Sequence, residues 1–523
     1  MHKAVKEVAK KLRRYDSIRV LNMISQISVL RQDRESFGKL LAQFNLNPAA
    51  SLRDCQMAFV SKLVLKYWGK LRAPQKNFTF KDLVNFSATL SGTQTPKSYP
   101  LKTLEDVNRF FMRTAYQQFP DFYGNSETLA RTHLLFRTCA KEVEKETGFD
   151  VDEAFEQATG LTLNKFWEIT LLISGLLLQQ KHGVIKTPLK PDAQLNRNLS
   201  ESDVARFLNL ISLKSEEYRQ KMELENYQVD PFETFNPNPL VNWPVVKIDD
   251  HTSVVPIFPY LFRRGTEQAF YDVIAFKDRE FSGYFGKVFE AYTDKMLSLI
   301  GSNYEIIKEP SYKSGNKLYK TCDRIIIGNG DAVLIECKTK RLGLKTKFTA
   351  NEELIRNDVT DVGKNDKGNI VHAVRQLKMT EQAIRGGFEG LENIGRKITG
   401  QLFHVVLTLD PYYFSNAGFV RRIINEELKK GDYPVEGFKW QLIDANGLEM
   451  LCSLSQKLDF MDLIKEKVSS PNLEEIDMTT FIEYENIGGK QTVREIPQNK
   501  IIMNELDKFH ENLQIRYGNA PKT

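Results

Sequence analysis

The first 225 or so residues carry apolar positions at a spacing near 3.6, the mark of helices with one face turned to a core. Val5, Val8, Ala9 and Leu12 share a face, with Lys6, Lys10, Lys11, Arg13 and Arg14 around the other. Residues 51–71, 104–119 and 163–180 repeat the pattern. At 200–212, Ser200 stands three residues before Asp203, the spacing of a capped helix start. No fixed repeat length is evident, which argues against a solenoid.

The pattern changes at 229–249, where Pro231, Pro237, Pro239 and Pro244 predict an extended connector with short strands. Beyond it, helical and strand-like runs alternate, as in an α/β domain. The expected elements are helix 282–300, strand 304–310, a hairpin over 318–338, a helix near 370–385, strand 402–409, helix 416–430, strand 438–444 and helix 446–457. The fold class expected is therefore multidomain. An all-α domain (1–228) precedes a Pro-rich connector (229–280), an α/β domain with a central sheet (281–457) and a polar C-terminal extension (458–523).

Composition narrows this only a little. A chain of 523 residues suits two or three domains, and 41% hydrophobic residues exclude wholesale disorder. A net charge of +6 permits a polyanionic partner without requiring one. Five scattered cysteines with no CxxC pair point to a reduced intracellular protein without a disulfide framework or structural zinc. The N-terminus lacks the apolar core of a signal peptide. The most apolar run, 169–178, is about half the length that spans a bilayer and reads as a buried helix. The expectation is a soluble, cytoplasmic protein with no membrane partner.

The chemistry concentrates in CDRIIIGNGDAVLIECK, residues 322–338. Asn329-Gly330 between two β-branched runs is the strongest short-range hairpin signal. A two-residue turn pairs positions that sum to 659, so Asp323 faces Glu336 with Cβ atoms roughly 5 Å apart, and Lys338 shares their face. Two carboxylates so placed repel unless a cation lies between them. A hard divalent ion, Mg²⁺ or in its place Mn²⁺, liganded by carboxylate oxygens, a backbone carbonyl and water, resolves the conflict. Lys338 then orients or polarises a bound water, or stabilises charge on a phosphate. The plainer alternative is a surface hairpin with charged ends, in which Lys338 only neutralises the pair.

Asp323, twelve intervening residues, then Glu336-Cys337-Lys338 resembles the signature of the PD-(D/E)XK, or restriction-endonuclease-like, nuclease superfamily. The resemblance covers roughly residues 280–455. Cys322 stands where the family often has proline. The resemblance implies a four- or five-stranded mixed sheet flanked by helices, with a metal bound by Asp and Glu and the Lys assisting water attack on a phosphodiester. The expected metal set is Asp323, Glu336, Cys337 and Glu290; the last is the natural candidate for the acidic residue the family's first core helix often supplies. A solvated Glu290 beside Lys287 and Asp294 is the alternative. In 371–384, Gln376 fits the family's site-supporting glutamine, but Thr380 replaces the tyrosine often found four residues on. His372 reads as structural or solvent-facing.

Residues 337–348 hold Lys338, Lys340, Arg341, Lys345 and Lys347 and no acidic residue, which suggests a groove that tracks phosphates. A long polar loop is expected at 349–369. The basic run 10–14 reads as a solvated helix face. No P-loop, dinucleotide fingerprint, zinc-protease motif or nucleophile elbow is present. The leading expectation is a Mg²⁺-dependent nuclease acting on DNA, with RNA open as a substrate, in a prokaryotic restriction or anti-phage setting. Its helical half would serve recognition, a homo-oligomer or a partner protein. The competing expectation, from another class, is a nucleic-acid-binding or scaffold subunit with little or no catalysis.

Overall fold

A computed structural model describes the chain except for residues 1–2, 45–51, 69–75, 93–100, 119–124, 190–198, 225–235, 361–368, 417, 431–437, 488–489 and 518–523. The described residues form two compact units. One comprises Met1–His133, Asp150–Phe281 and Leu506–Thr523, the other Leu134–Phe149 and Ser282–Glu505.

The first unit is mainly helical, and its helices bury the stripes the sequence marks. Lys3–Leu12 buries Val5, Val8, Ala9 and Leu12. Asp54–Lys66 and Leu163–Gln180 lie inside the predicted 51–71 and 163–180 segments. Glu201–Ile211 begins with the expected cap, the Ser200 side chain accepting the Asp203 amide. The helical expectation leaves out β1 (Val184–Lys186) and β2 (Ser212–Lys214), which join two short strands of the expected connector, β3 (Val245–Lys247) and β4 (Thr252–Val254), in a small sheet of order β1-β4-β3-β2. Three-residue strands are too short to show an alternation. Part of the expected connector, including Pro231, lies outside the described residues. The described part holds β3 and β4 but also the helix Phe258–Gly265, whose Tyr260 joins the buried core of this unit. Pro259 opens that helix at its first turn, where a missing amide costs nothing. Among the described residues no single helix is long and apolar enough to cross a membrane.

The second unit is built on a five-stranded mixed sheet. Its strands are β5 (Glu305–Lys308), β8 (Arg324–Gly328), β9 (Asp331–Lys338), β10 (Leu402–Thr408) and β11 (Gln441–Asp444), in the order β11-β10-β9-β8-β5. β5, β8 and β9 are antiparallel neighbours, while β9, β10 and β11 run parallel. Between β5 and β8 the chain makes a separate ribbon of β6 (Ser311–Ser314) and β7 (Lys317–Lys320). The predicted hairpin over 318–338 is thus two elements: only 324–338 pairs across Asn329-Gly330, and Lys317–Lys320 turns back on β6 through Gly315-Asn316. Helices pack on the sheet at the part of Ala269–Leu297 that follows Phe281, at Ile370–Arg385 and at Gly418–Lys430, followed by Ala445–Leu454. Ala269–Leu297 is itself two helices joined at a kink, with Lys277 non-helical between them.

Two expected stretches differ. The loop 349–369 contains the helix Glu352–Thr360, with Ile355 and Val359 buried, and 361–368 lies outside the described residues. The expected polar extension carries the helix Phe460–Val468, whose Phe460, Met461, Leu463 and Ile464 are buried.

Candidate active site

The ladder between β8 and β9 fixes the site. Arg324 pairs with Ile335 and Gly328 with Asp331, so every pair sums to 659, as a two-residue turn requires. Asn329 and Gly330 have φ of 52° and 82°, the doubly left-handed turn that Asn-Gly favours. Continued by one residue, the register sets Asp323 opposite Glu336. The Asp323 Oδ2 accepts the Cys337 amide at 2.7 Å, and Lys338 Nζ lies 2.6 Å from Glu336 Oε1. Asp323 and Glu336 are both buried. Among the described residues the Glu336 Oε2 has no hydrogen-bond partner, although it is shielded from solvent.

The electrostatics follow from that burial. Desolvation raises the pKa of Glu336, which the Lys338 ammonium opposes and the charge of Asp323 reinforces. Asp323 is likewise raised by burial, against the Cys337 amide and Lys338. Burial disfavours the Lys338 charge, but Glu336 outweighs it and holds the amine above its ordinary value. Glu290 is pushed up to about 7 by burial and then by the charge of Asp323. Such a group is short of positive charge.

The faces of the sheet separate the remaining residues. Cys337 and Arg324 point toward the Ala269–Leu297 helix: the Cys337 thiol meets Thr293 Oγ1 at 3.6 Å, and Arg324 binds Asp294. Any contribution of Cys337 to a metal is therefore through its backbone, since the thiol faces away from Glu336. Glu290, on the same helix, leans on Arg324 Nη1 at 3.4 Å rather than on the carboxylates. On the other face, β10 pairs His404 with Leu334, in line with Glu336 and Lys338, and His404 meets Glu381 of the Ile370–Arg385 helix at 3.3 Å. Gln376 of that helix donates to the Thr321 carbonyl at 2.8 Å, and Thr380 Oγ1 accepts the Cys322 amide at 2.9 Å. Gln376 thus braces the segment entering Asp323 and does not touch the carboxylates, while Thr380 supports the same segment from where an aromatic was expected.

The basic segment is partly neutralised from a residue the sequence reading missed. Asp410 lies 3.4 Å from Arg341 and 3.5 Å from Lys347, and the Tyr412 hydroxyl donates to the Lys340 carbonyl at 2.9 Å. Lys345 is exposed. Arg324 and Glu309 were also missed. Glu309 has φ of 34°, donates its amide to the Asp323 carbonyl at 3.0 Å and holds Lys320 at 2.7 Å. The dipeptides Glu309-Pro310 and Asp410-Pro411, each closing a strand, were the signals available.

Among the described residues no three His, Cys, Asp or Glu side chains converge closely enough to hold an ion. Lys338 occupies one oxygen of Glu336, the Cys337 amide one of Asp323, and Arg324 draws Glu290 aside. The unpartnered Glu336 Oε2 and the all-carboxylate donor set nonetheless suit a hard divalent cation. Compared with known proteins, the chain matches no protein-family model and no curated sequence.

Proposed function

We propose that the second unit is a divalent-metal-dependent nuclease of the PD-(D/E)XK type, hydrolysing phosphodiester bonds in DNA. The observation that carries this reading is the Asp323–Glu336 pair, with Lys338 at 2.6 Å and Glu336 Oε2 left without a partner. The mixed sheet with helices packed on it is the setting such a site requires. Asp323 and Glu336, with Glu290 after it turns from Arg324, would hold Mg²⁺ or Mn²⁺. When bound, the ion supplies a Lewis acid and an activated water. Lys338, kept protonated by Glu336, donates a hydrogen bond to charge developing on the phosphate. Gln376 and Thr380 hold the Thr321–Cys322 backbone so that Asp323 stays in register. The setting that suits such an enzyme is prokaryotic restriction or anti-phage defence.

One observation favours the second reading, a nucleic-acid-binding subunit without catalysis: among the described residues no third His, Cys, Asp or Glu closes on the two carboxylates, and Lys338 closes on one of them. Purified protein incubated with plasmid, linear and single-stranded DNA and with RNA, in Mg²⁺, Mn²⁺ or EDTA, separates the two. Metal-dependent cleavage abolished by Asp323→Asn and by Lys338→Ala is expected. Cleavage that persists in both variants refutes the site, and binding without cleavage of any substrate favours the second reading. Calorimetric Mg²⁺ titration provides an independent readout, with heat expected for the wild type and none for Asp323→Asn.

A further inference from the structure

The ribbon β6–β7 is not part of the carboxylate site, yet both of its ends enter it. Glu309, just before β6, donates its amide to the Asp323 carbonyl, and Thr321, just after β7, returns its amide to the Pro310 carbonyl at 3.0 Å. The ribbon has ten residues, three of them lysine and none acidic: Ser311-Tyr-Lys-Ser-Gly-Asn-Lys-Leu-Tyr-Lys320. Its register pairs Tyr312 with Tyr319 and Lys313 with Leu318, so the two faces differ in kind. The inner face stacks Tyr312 on Tyr319 at 5.6 Å and sets Tyr312 edge-on to Phe388 at 5.7 Å. A backbone bridge from Lys313 to Glu389 fastens one edge. The outer face presents Lys313, Leu318 and Lys320; Leu318 is 69% exposed, with a lysine on either side. Lys313 and Lys320 are held by Glu389 and Glu309 in exposed ion pairs, which contribute little and exchange readily for phosphate.

We infer that this ribbon is a duplex-gripping arm: its outer face, Lys313, Leu318 and Lys320, lies against double-stranded DNA whose scissile phosphate reaches the Asp323–Glu336 site. The inference rests on the nuclease reading for the position of that phosphate. A two-stranded ribbon fits the roughly 12 Å width of a major groove. The lysines supply counter-charge to the backbone on each side of a small apolar contact, and the aromatic inner face keeps the arm rigid while it engages. The arm is tied to the residues it serves, since Glu309 is hydrogen-bonded to Asp323 and Thr321, bonded in turn to Pro310, stands two residues before it.

The test measures binding apart from cleavage. Full-length protein in EDTA is titrated against a fluorescent 20-base-pair duplex, the matching single strand and an RNA duplex across a salt series. Lys313→Gln/Lys320→Gln is expected to weaken duplex binding roughly tenfold and to lower the slope of log K against log salt by about 1.8, two phosphate contacts at about 0.9 each. Leu318→Ser, at an exposed position with no core to disturb, is expected to weaken duplex binding several-fold with the salt slope unchanged. Lys39→Gln/Lys457→Gln, which removes two exposed charges elsewhere, is expected to bind as the wild type does. Arm variants that keep wild-type affinity and slope overturn the arm, even if the wild type cleaves. A larger loss on single strands or RNA than on duplex DNA overturns the duplex assignment, as does a wild type that binds no nucleic acid. Loss of duplex binding in the arm variants of a protein that cleaves nothing supports the arm and refutes the nuclease reading instead.

Discussion

Arg324 follows Asp323 but points to the other face of the sheet, where its buried guanidinium binds Asp294 through Nε at 2.5 Å and Nη2 at 3.1 Å. Its Nη1 also donates to the Asp323 carbonyl at 2.5 Å. Replacing it with methionine leaves Asp294 with only the exposed Lys308, at 2.7 Å, and takes from Glu290 the guanidinium it leans on; losing one member of a buried pair costs at most about 3–5 kcal/mol. Urea unfolding of Arg324→Met should show that loss; a change under about 1 kcal/mol would mean that solvent screens the pair. Glu290 gives a pH signature. Burial and Asp323 raise it from 4.5 to about 7, so the folded state holds this proton more tightly than the unfolded chain does. Its favourable contribution is complete below about pH 4.5 and is lost as pH rises through 7. The unfolding midpoint of metal-free protein should therefore fall between pH 5 and 7.5, and less steeply in Glu290→Gln; identical slopes would exclude Glu290 as the group responsible. Asp323, Glu336 and Lys338 were legible in the sequence because one turn fixes their register. The Arg324 network was not, because which helix residue meets it depends on a rotation about the helix axis that the local sequence leaves free.

At the scale of elements, the Asn329-Gly330 turn sets the site. Gly330 has φ of 82°, and a Cβ built on it would lie 2.6 Å from Thr399 Oγ1. Its carbonyl also accepts the amides of Thr399 and Gly400, both at 2.9 Å. Gly330→Val pays twice, in backbone strain and in a clash, and should lose roughly 1–3 kcal/mol. Asn329→Gly keeps the turn and should stay within about 0.5 kcal/mol of the wild type. Denaturant midpoints of the two variants test this, and a neutral Gly330→Val would show that the register is set elsewhere. The β6–β7 ribbon shows where element reading failed. Gly315-Asn316 between SYKS and KLYK is itself a hairpin signal, but the stronger turn at 329–330 drew the whole of 318–338 into a single hairpin. Period and turn chemistry identified the paired strands. They did not say which neighbour a short polar strand would choose, because that choice is made by anchors distant in sequence, here Phe388 and Glu389.

At the scale of the whole molecule, the last segment separates the sequence reading from the fold most sharply. Residues 458–523 look polar because their apolar residues are spread among charged ones, yet they complete buried surfaces. Phe460, Met461, Leu463 and Ile464 are each at most 3% exposed. The Met461 amide donates to the Tyr304 hydroxyl at 3.2 Å, and Tyr304 meets Phe460 edge-on. Lys467 is 1% exposed and its ammonium is absorbed by the Gln441 side chain at 2.9 Å and the Leu473 and Glu474 carbonyls. Further on, Phe509 packs on His133 and Trp167. A chain cut after residue 457 therefore uncovers the flank of β9 and β11, which Lys465 and Lys467 reach at Asp331 and Gln441, and an apolar surface whose exposed side chains are each worth about 1.5–3 kcal/mol. Four such residues approach the whole stability of an ordinary domain, about 5–15 kcal/mol. The truncated protein should accumulate as aggregate, or bind a hydrophobic dye and melt without cooperativity. Were 458–523 a dispensable polar tail, the same truncation would stay soluble and melt near the wild-type midpoint. A milder probe avoids the collapse: Phe460→Leu keeps an apolar side chain at the site and should lower the midpoint measurably while leaving the unfolding transition cooperative.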